Sequence, residues 1–151
     1  MGLINIASGS SVWRGLDYYN HQRVISYKQV SDSEYESIVL GSNHEKYHVF
    51  MDVSHPRKST CDCPHANGKR IICKHIVALY FTVFPSEVDS FLKEVEEAER
   101  EYEAYEKERV NKLHSYIYGM SKQELQETVF ELLDDLPEWA YDRFIRDKVG
   151  M

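Results

Sequence analysis

Residues 60–80 read TCDCPHANGKRIICKHIVALY. This stretch decides the fold because one residue separates Cys61 from Cys63 and, after nine intervening residues, one residue separates Cys73 from His75. Two thiolates separated by a single residue reach the same ion from a turn or an extended segment. A second pair brought back by the chain completes a tetrahedron. Three sulfurs and one imidazole nitrogen suit zinc, which accepts four soft or borderline ligands and has no electronic objection to tetrahedral geometry. Between the pairs, Asn67-Gly68 tolerates positive φ and predicts a tight β-hairpin whose returning strand carries Ile71 and Ile72. Ile76, Val77, Leu79, Tyr80 and Val83 recur three and four residues apart, which predicts a helix starting near Cys73 or Lys74 with one apolar face. Its unsatisfied backbone N–H groups favour thiolate at that point.

Other readings of the cysteines fit less well. Chance rarely supplies four ligating residues in paired spacing, as the reading of them as small buried hydrophobes would require. An iron-sulfur cluster is less suited to this histidine-containing set than tetrahedral zinc. Four protein ligands leave no position for an activated water, which argues against a catalytic metal. His55 and His65 are nearby, and His65 is the alternative ligand, otherwise read as solvent-facing or as a support for the ligands.

Working outward, 24–30 and 34–40 are rich in β-branched and aromatic residues, and 47–53 places Tyr47, Val49, Met51 and Val53 on one face. Ser31-Asp32-Ser33 and Gly41-Ser42-Asn43 break these runs, giving a three-stranded antiparallel meander. The first twenty residues, with Trp13, Leu16, Tyr18 and Tyr19, carry no clear period and stay unassigned. Beyond the cysteines, Pro85 and Ser86 interrupt the helix, and Ser86 with Asp89 starts another running from Glu87 to about Tyr118. Its seam of Val88, Phe91, Val95, Ala98, Tyr102 and Tyr105 drifts to Val110, Leu113 and Ile117, a weak coiled-coil pattern. The preferred reading is an amphipathic helix laid across its own domain, with Tyr102, Tyr105, Tyr116 and Tyr118 covering the core; self-association or capture of a partner helix is the alternative. Gly119 ends it, Ser121 and Glu124 form a capping box for a third helix with Leu125, Val129, Leu132, Leu133 and Leu136 on one face, and Pro137 begins a fourth. The fold class is therefore α+β: a small antiparallel meander, a zinc-bound β-hairpin followed by a helix, then a C-terminal helical extension. Residues 1–84 form the zinc-binding module, with the finger proper at about 60–80, and 85–151 the extension with its long acidic helix.

Cys61-x-Cys63 followed by Cys73-x-His75 resembles the SWIM-type zinc finger, in which Cys-x-Cys, a variable insertion and Cys-x-His fold as a small β-hairpin and a helix. The resemblance implies that these four residues hold one structural zinc. Arg14-Gly15 through Tyr18-Tyr19, Arg23-Val24, Gly41-Ser42, Tyr47 and Val49 resemble the strand-rich stretch that commonly precedes the finger in bacterial members. Related fingers occur in helicase-related ATPases, transposase-like proteins, recombination-associated factors and signalling proteins, and are credited with DNA binding or protein interaction. This chain has no room for an ATPase or transposase core.

Charge supports the same two uses. The chain of 151 residues carries a net charge of -7, and residues 87–108 alone hold ten acids against three bases. Residues 54–75 hold five bases, Arg57, Lys58, Lys69, Arg70 and Lys74, against the single acid Asp62. These five are the candidate nucleic-acid contacts. No apolar run reaches the roughly 18 residues of a membrane span, and no signal-type segment opens the chain. Three cysteines cannot pair fully among themselves, so a reducing, cytoplasmic location is the expectation. No paired-carboxylate, triad or phosphate-loop pattern appears. The sequence thus points to a non-enzymatic, zinc-stabilised adaptor for a protein partner, within a DNA-associated assembly. Direct DNA binding through the basic hairpin is the alternative, and a metal-dependent hydrolase is a remoter one.

Overall fold

The structure is a computed structural model that describes residues 2–150. The chain divides into two units, one extending through Glu96 and the other beginning at Glu97.

In the first unit, two helices precede the sheet: α1 (Leu3–Ile6) and α2 (Gly9–Asn20). The stretch that shows no clear period in sequence is thus helical, and the Arg14 to Tyr19 segment compared with a strand-rich region lies within α2. Ser8 caps α2 by accepting a hydrogen bond from the Ser11 N–H at 3.2 Å, while Val12, Leu16 and Tyr19 follow at intervals of four and three. That is helical spacing, and Trp13 and Tyr18 obscure it by interrupting the apolar run. Four strands follow in the order β1-β2-β3-β4, all antiparallel: β1 (Val24–Gln29), β2 (Glu34–Leu40), β3 (Lys46–Asp52) and β4 (Thr60–Cys61). The predicted three-stranded meander is present to within one residue at each end. Period-two alternation places Tyr35, Ser37 and Val39 of β2, with Val49 and Met51 of β3, on the buried face.

Across that face lies α3 (Lys74–Val83), in which every side chain from His75 to Phe81 is buried. α2 packs against α3 at Gly15, where a β-carbon would overlap the Val77 side chain. The close approach of the two backbones therefore requires glycine. The long helix α4 (Ser86–Gly119) begins one residue earlier than predicted. Val88 is buried, Phe91 packs edge-on to Trp13 with centroids 5.2 Å apart, and Tyr80 Oη donates to Glu87 at 3.0 Å. Burial, and after it this bond, pushes the Tyr80 phenol up to about 12.

The predicted hairpin needs correction. Gly68 has the expected positive φ of 69°, but Ile71 and Ile72 form no strand. The Ala66 and Asn67 N–H groups both bond back to the Cys63 carbonyl at 3.0 and 2.9 Å. The chain therefore coils into successive turns instead of pairing across Asn67-Gly68. The hairpin that serves the cysteines lies one element earlier, where β3 and β4 pair through Val49↔Cys61 and Phe50↔Thr60.

The second unit contains the remainder of α4, then α5 (Lys122–Asp134), α6 (Glu138–Phe144) and a wide turn over Ile145–Val149 ending at Gly150 with φ 79°. The predicted capping box is complete: Glu124 N–H donates to Ser121 Oγ at 3.2 Å, and Ser121 N–H to the Glu124 carboxylate at 2.8 Å. A second expectation fails here, since Tyr102, Tyr105, Tyr116 and Tyr118 are 60–85% exposed and cover no core. Among the described residues, no helix is long and apolar enough to cross a membrane.

Candidate metal centre

Each of the four predicted ligands comes from a different local device. Cys61 ends β4, where pairing with Val49 fixes its backbone. Cys63 opens the turns that coil through Ala66 and Asn67. Cys73 occupies the position before α3 with an extended backbone, and His75 is the second residue of that helix. All four are buried, and their ligating atoms lie within 4.8 Å of one another. A tetrahedral ion with metal–sulfur bonds of about 2.3 Å holds its sulfurs about 3.8 Å apart, so the cluster matches one ion in both size and donor type. No cysteine is in a disulfide. One structural zinc held by Cys61, Cys63, Cys73 and His75 follows.

The histidine orientation sharpens this assignment. His75 Nδ1 lies 3.6 Å from Cys61 Sγ and 3.9 Å from Cys73 Sγ, so Nδ1 is the nitrogen that joins the sulfurs. Its ring is flanked by Tyr47 at 4.7 Å and by Tyr18 at 5.3 Å between centroids. Sequence reasoning does not mark Tyr18 and Tyr47 as site residues. The strand period that turns Tyr47 inward with Val49 is the signal that could have found one of them.

Electrostatics explains why the cluster wants a cation. Hydrogen bonding from Cys61 pulls the Cys73 thiol down to about 4, and the His75 ring and the backbone N–H groups of Ile76 and His75 add to this. The same bond, then burial, pushes Cys61 well up. Burial, followed by the neighbouring Cys73 charge, also raises Cys63, although the N–H groups of Ala66 and His65 oppose it. Three buried thiols at this spacing cannot all ionise against one another; a divalent ion among them removes the conflict.

His65 and His55 lie outside the cluster. His65 is exposed, and His55 bonds instead to the buried Asp52 through its N–H at 2.9 Å and Nδ1 at 3.2 Å. The basic residues divide. Arg57 and Arg70 line one cavity with Ile6 and Ile72, Lys69 and Arg70 wall a groove beside β4, and Lys58 sits with Arg57 on the short turn before β4. Lys74 goes elsewhere, with its Nζ 4.3 Å over the Tyr18 ring.

The family model described as SWIM zinc finger matches residues 47–84. This segment is similar to the SWIM zinc finger. The match runs from within β3 through the end of α3, so the matched segment includes the strand that pairs with β4 as well as the four ligands. No curated protein and no solved structure matches the chain.

Proposed function

We propose that this protein is a non-enzymatic adaptor in which the SWIM finger stabilises a small scaffold and the helices after it bind another protein. One observation carries the reading: among the described residues, nothing beyond Val88 is buried, although the segment contains Leu113, Ile117, Leu125, Val129, Phe130, Leu132 and Trp139, all 40% or more exposed. An isolated helix of the length of α5 is marginal in water, and helices of this kind gain their stability by burying an apolar face. From residue 97 onward the chain holds 14 acids against 8 bases, so the complementary partner presents apolar side chains rimmed by lysine or arginine. Residues 1–84 act as the scaffold in this reading and 85–151 as the presenting arm. Four protein ligands on the ion favour a structural over a hydrolytic role. Three cysteines kept reduced as metal ligands favour the cytoplasm as the place of action.

A second reading has its own support. Arg57 and Arg70 converge on one cavity, and Lys69 joins Arg70 along the groove beside β4. Lys58 follows Arg57 on the short turn before β4, and contacts from these bases to a phosphate backbone would place the adaptor within a DNA-associated assembly or on DNA itself. Copurification of the full chain from native cells, with and without nuclease, separates the two. The adaptor reading expects a protein partner that survives nuclease and is lost when Leu125 and Val129 are replaced by glutamate. Recovery of nucleic acid alone, released by Arg57→Ala and Arg70→Ala, would instead establish direct DNA binding. A chain that merely pairs with itself through α4 or α5 would appear as a dimer of purified protein, and would remove the need for a separate partner.

A further inference from the structure

A cavity of about 450 Å³ lies where three chain segments meet: the junction of α1 and α2 at Ile6 and Ser8, the short turn before β4 at Arg57, and the coil of Arg70, Ile71 and Ile72 that leads into Cys73. That volume falls within the roughly 300–1,000 Å³ of small-ligand sites. Cys61 follows Arg57 by four residues and Cys73 follows Arg70 by three. The ion that joins these cysteines therefore also ties the two arginine-bearing segments together. No carboxylate stands in the wall, whose charged members are the two arginines alone. Both are exposed, so a ligand reaches them directly from solvent. Among the described residues neither forms an ion pair with a carboxylate. Ser8 is committed to capping α2, which leaves the guanidinium groups as the donors and adds the positive end of that helix beside them.

An arginine pair suits phosphate, and one kind of phosphate better than another. Each guanidinium presents its N–H groups as a planar fork that meets two oxygens at once. An internal phosphodiester offers a pair of unesterified oxygens and a single charge. A terminal phosphomonoester offers a third oxygen and carries about -1.5 to -2 at pH 7, which answers both forks and both charges. Ile6, Ile71 and Ile72 supply apolar wall for the sugar of the attached nucleotide. We propose that this cavity binds the terminal phosphate of a DNA strand, with Arg57 and Arg70 both donating to its oxygens. The inference rests on the second reading above, in which these bases meet DNA, and adds that they select a strand end over the continuous backbone.

Fluorescence anisotropy of the zinc-loaded full chain tests this with one single-stranded oligonucleotide in three forms: 5′-phosphorylated, 3′-phosphorylated, and hydroxyl at both ends. AMP serves as competitor. The expected result is that one phosphorylated form binds about tenfold or more tightly than the hydroxyl form, which also identifies the end recognised. Arg57→Gln and Arg70→Gln should each erase that preference while zinc content stays unchanged. Lys58→Gln, which removes a neighbouring charge outside the cavity wall, should weaken all three forms alike and keep their ratio. Equal binding of the three forms by the parent chain would overturn the inference and leave DNA binding standing, whereas binding of none at low salt would remove both. A preference that survives both arginine substitutions would also overturn it. So would AMP binding as tightly as the phosphorylated oligonucleotide, because a free nucleotide would then be the ligand.

Discussion

Single side chains determine whether the finger can assemble, and two of them lie outside the ligand set. Gly15 is one, because α2 reaches α3 only where no β-carbon meets Val77. Gly15→Ala should therefore cost about 1–3 kcal/mol, the usual penalty for overpacking a core, read as a lowered urea midpoint with zinc still bound. Asp52 is the other. Burial alone would raise its carboxyl, but the His55 N–H and imidazole hold it below the ordinary carboxylate value. A depressed folded-state pKa means that the ionised form stabilises the fold above the unfolded value, and that this contribution disappears as pH falls through the folded one. Asp52→Asn should thus be less stable at neutral pH, with a flatter dependence of stability on pH below about 4. Urea unfolding across that range would measure it; identical acid limbs for the two chains would show that Asp52 does not contribute. The ligands are legible at this scale because donor identity and spacing are chemical properties of the sequence. Tyr18 and Tyr47, which flank His75, are not, because their contacts depend on elements distant along the chain.

Among the elements, those with strong local periodicity can be read directly. β2 alternates along seven residues, and α3 follows its apolar recurrence from Lys74. α2 escapes a reading of periodicity because its apolar positions are few and Gly15, normally a weak helix former, sits in its middle for a tertiary reason. The hairpin expected at Asn67-Gly68 is displaced for a related cause: the dipeptide specifies a turn, yet pairing across it also needs free backbone groups on both sides. Here the Cys63 carbonyl has captured the N–H groups of Ala66 and Asn67. α5 illustrates the opposite case, a helix start written entirely in local sequence. Ser121→Ala should remove one side of its capping box at a cost of about 1 kcal/mol to that helix. Faster amide exchange confined to the first turn of α5 is the expected signature, and unchanged exchange there would discount the cap.

At the scale of the whole molecule the chain divides its chemistry. Residues through Glu96 hold the sheet, the buried helix α3 and the zinc ligands, whereas the part from Glu97 is strongly acidic and leaves its apolar side chains uncovered. Sequence separates the acidic helix from the basic cysteine region, but does not tell that Tyr102 and Tyr105 stand exposed. Exposure depends on what an amphipathic face meets, and periodicity is silent on that. One zinc holds the first part together. Structural zinc in small modules contributes roughly 10–16 kcal/mol of coupled binding and folding, as much as the whole net stability of a typical domain. Native mass spectrometry of the full chain and of Cys73→Ser, paired with thermal unfolding of each, tests it most directly. The expected result is one zinc per parent chain, with loss of both the metal and the cooperative transition in the variant. Stoichiometric zinc in Cys73→Ser with an unchanged melting profile would contradict it.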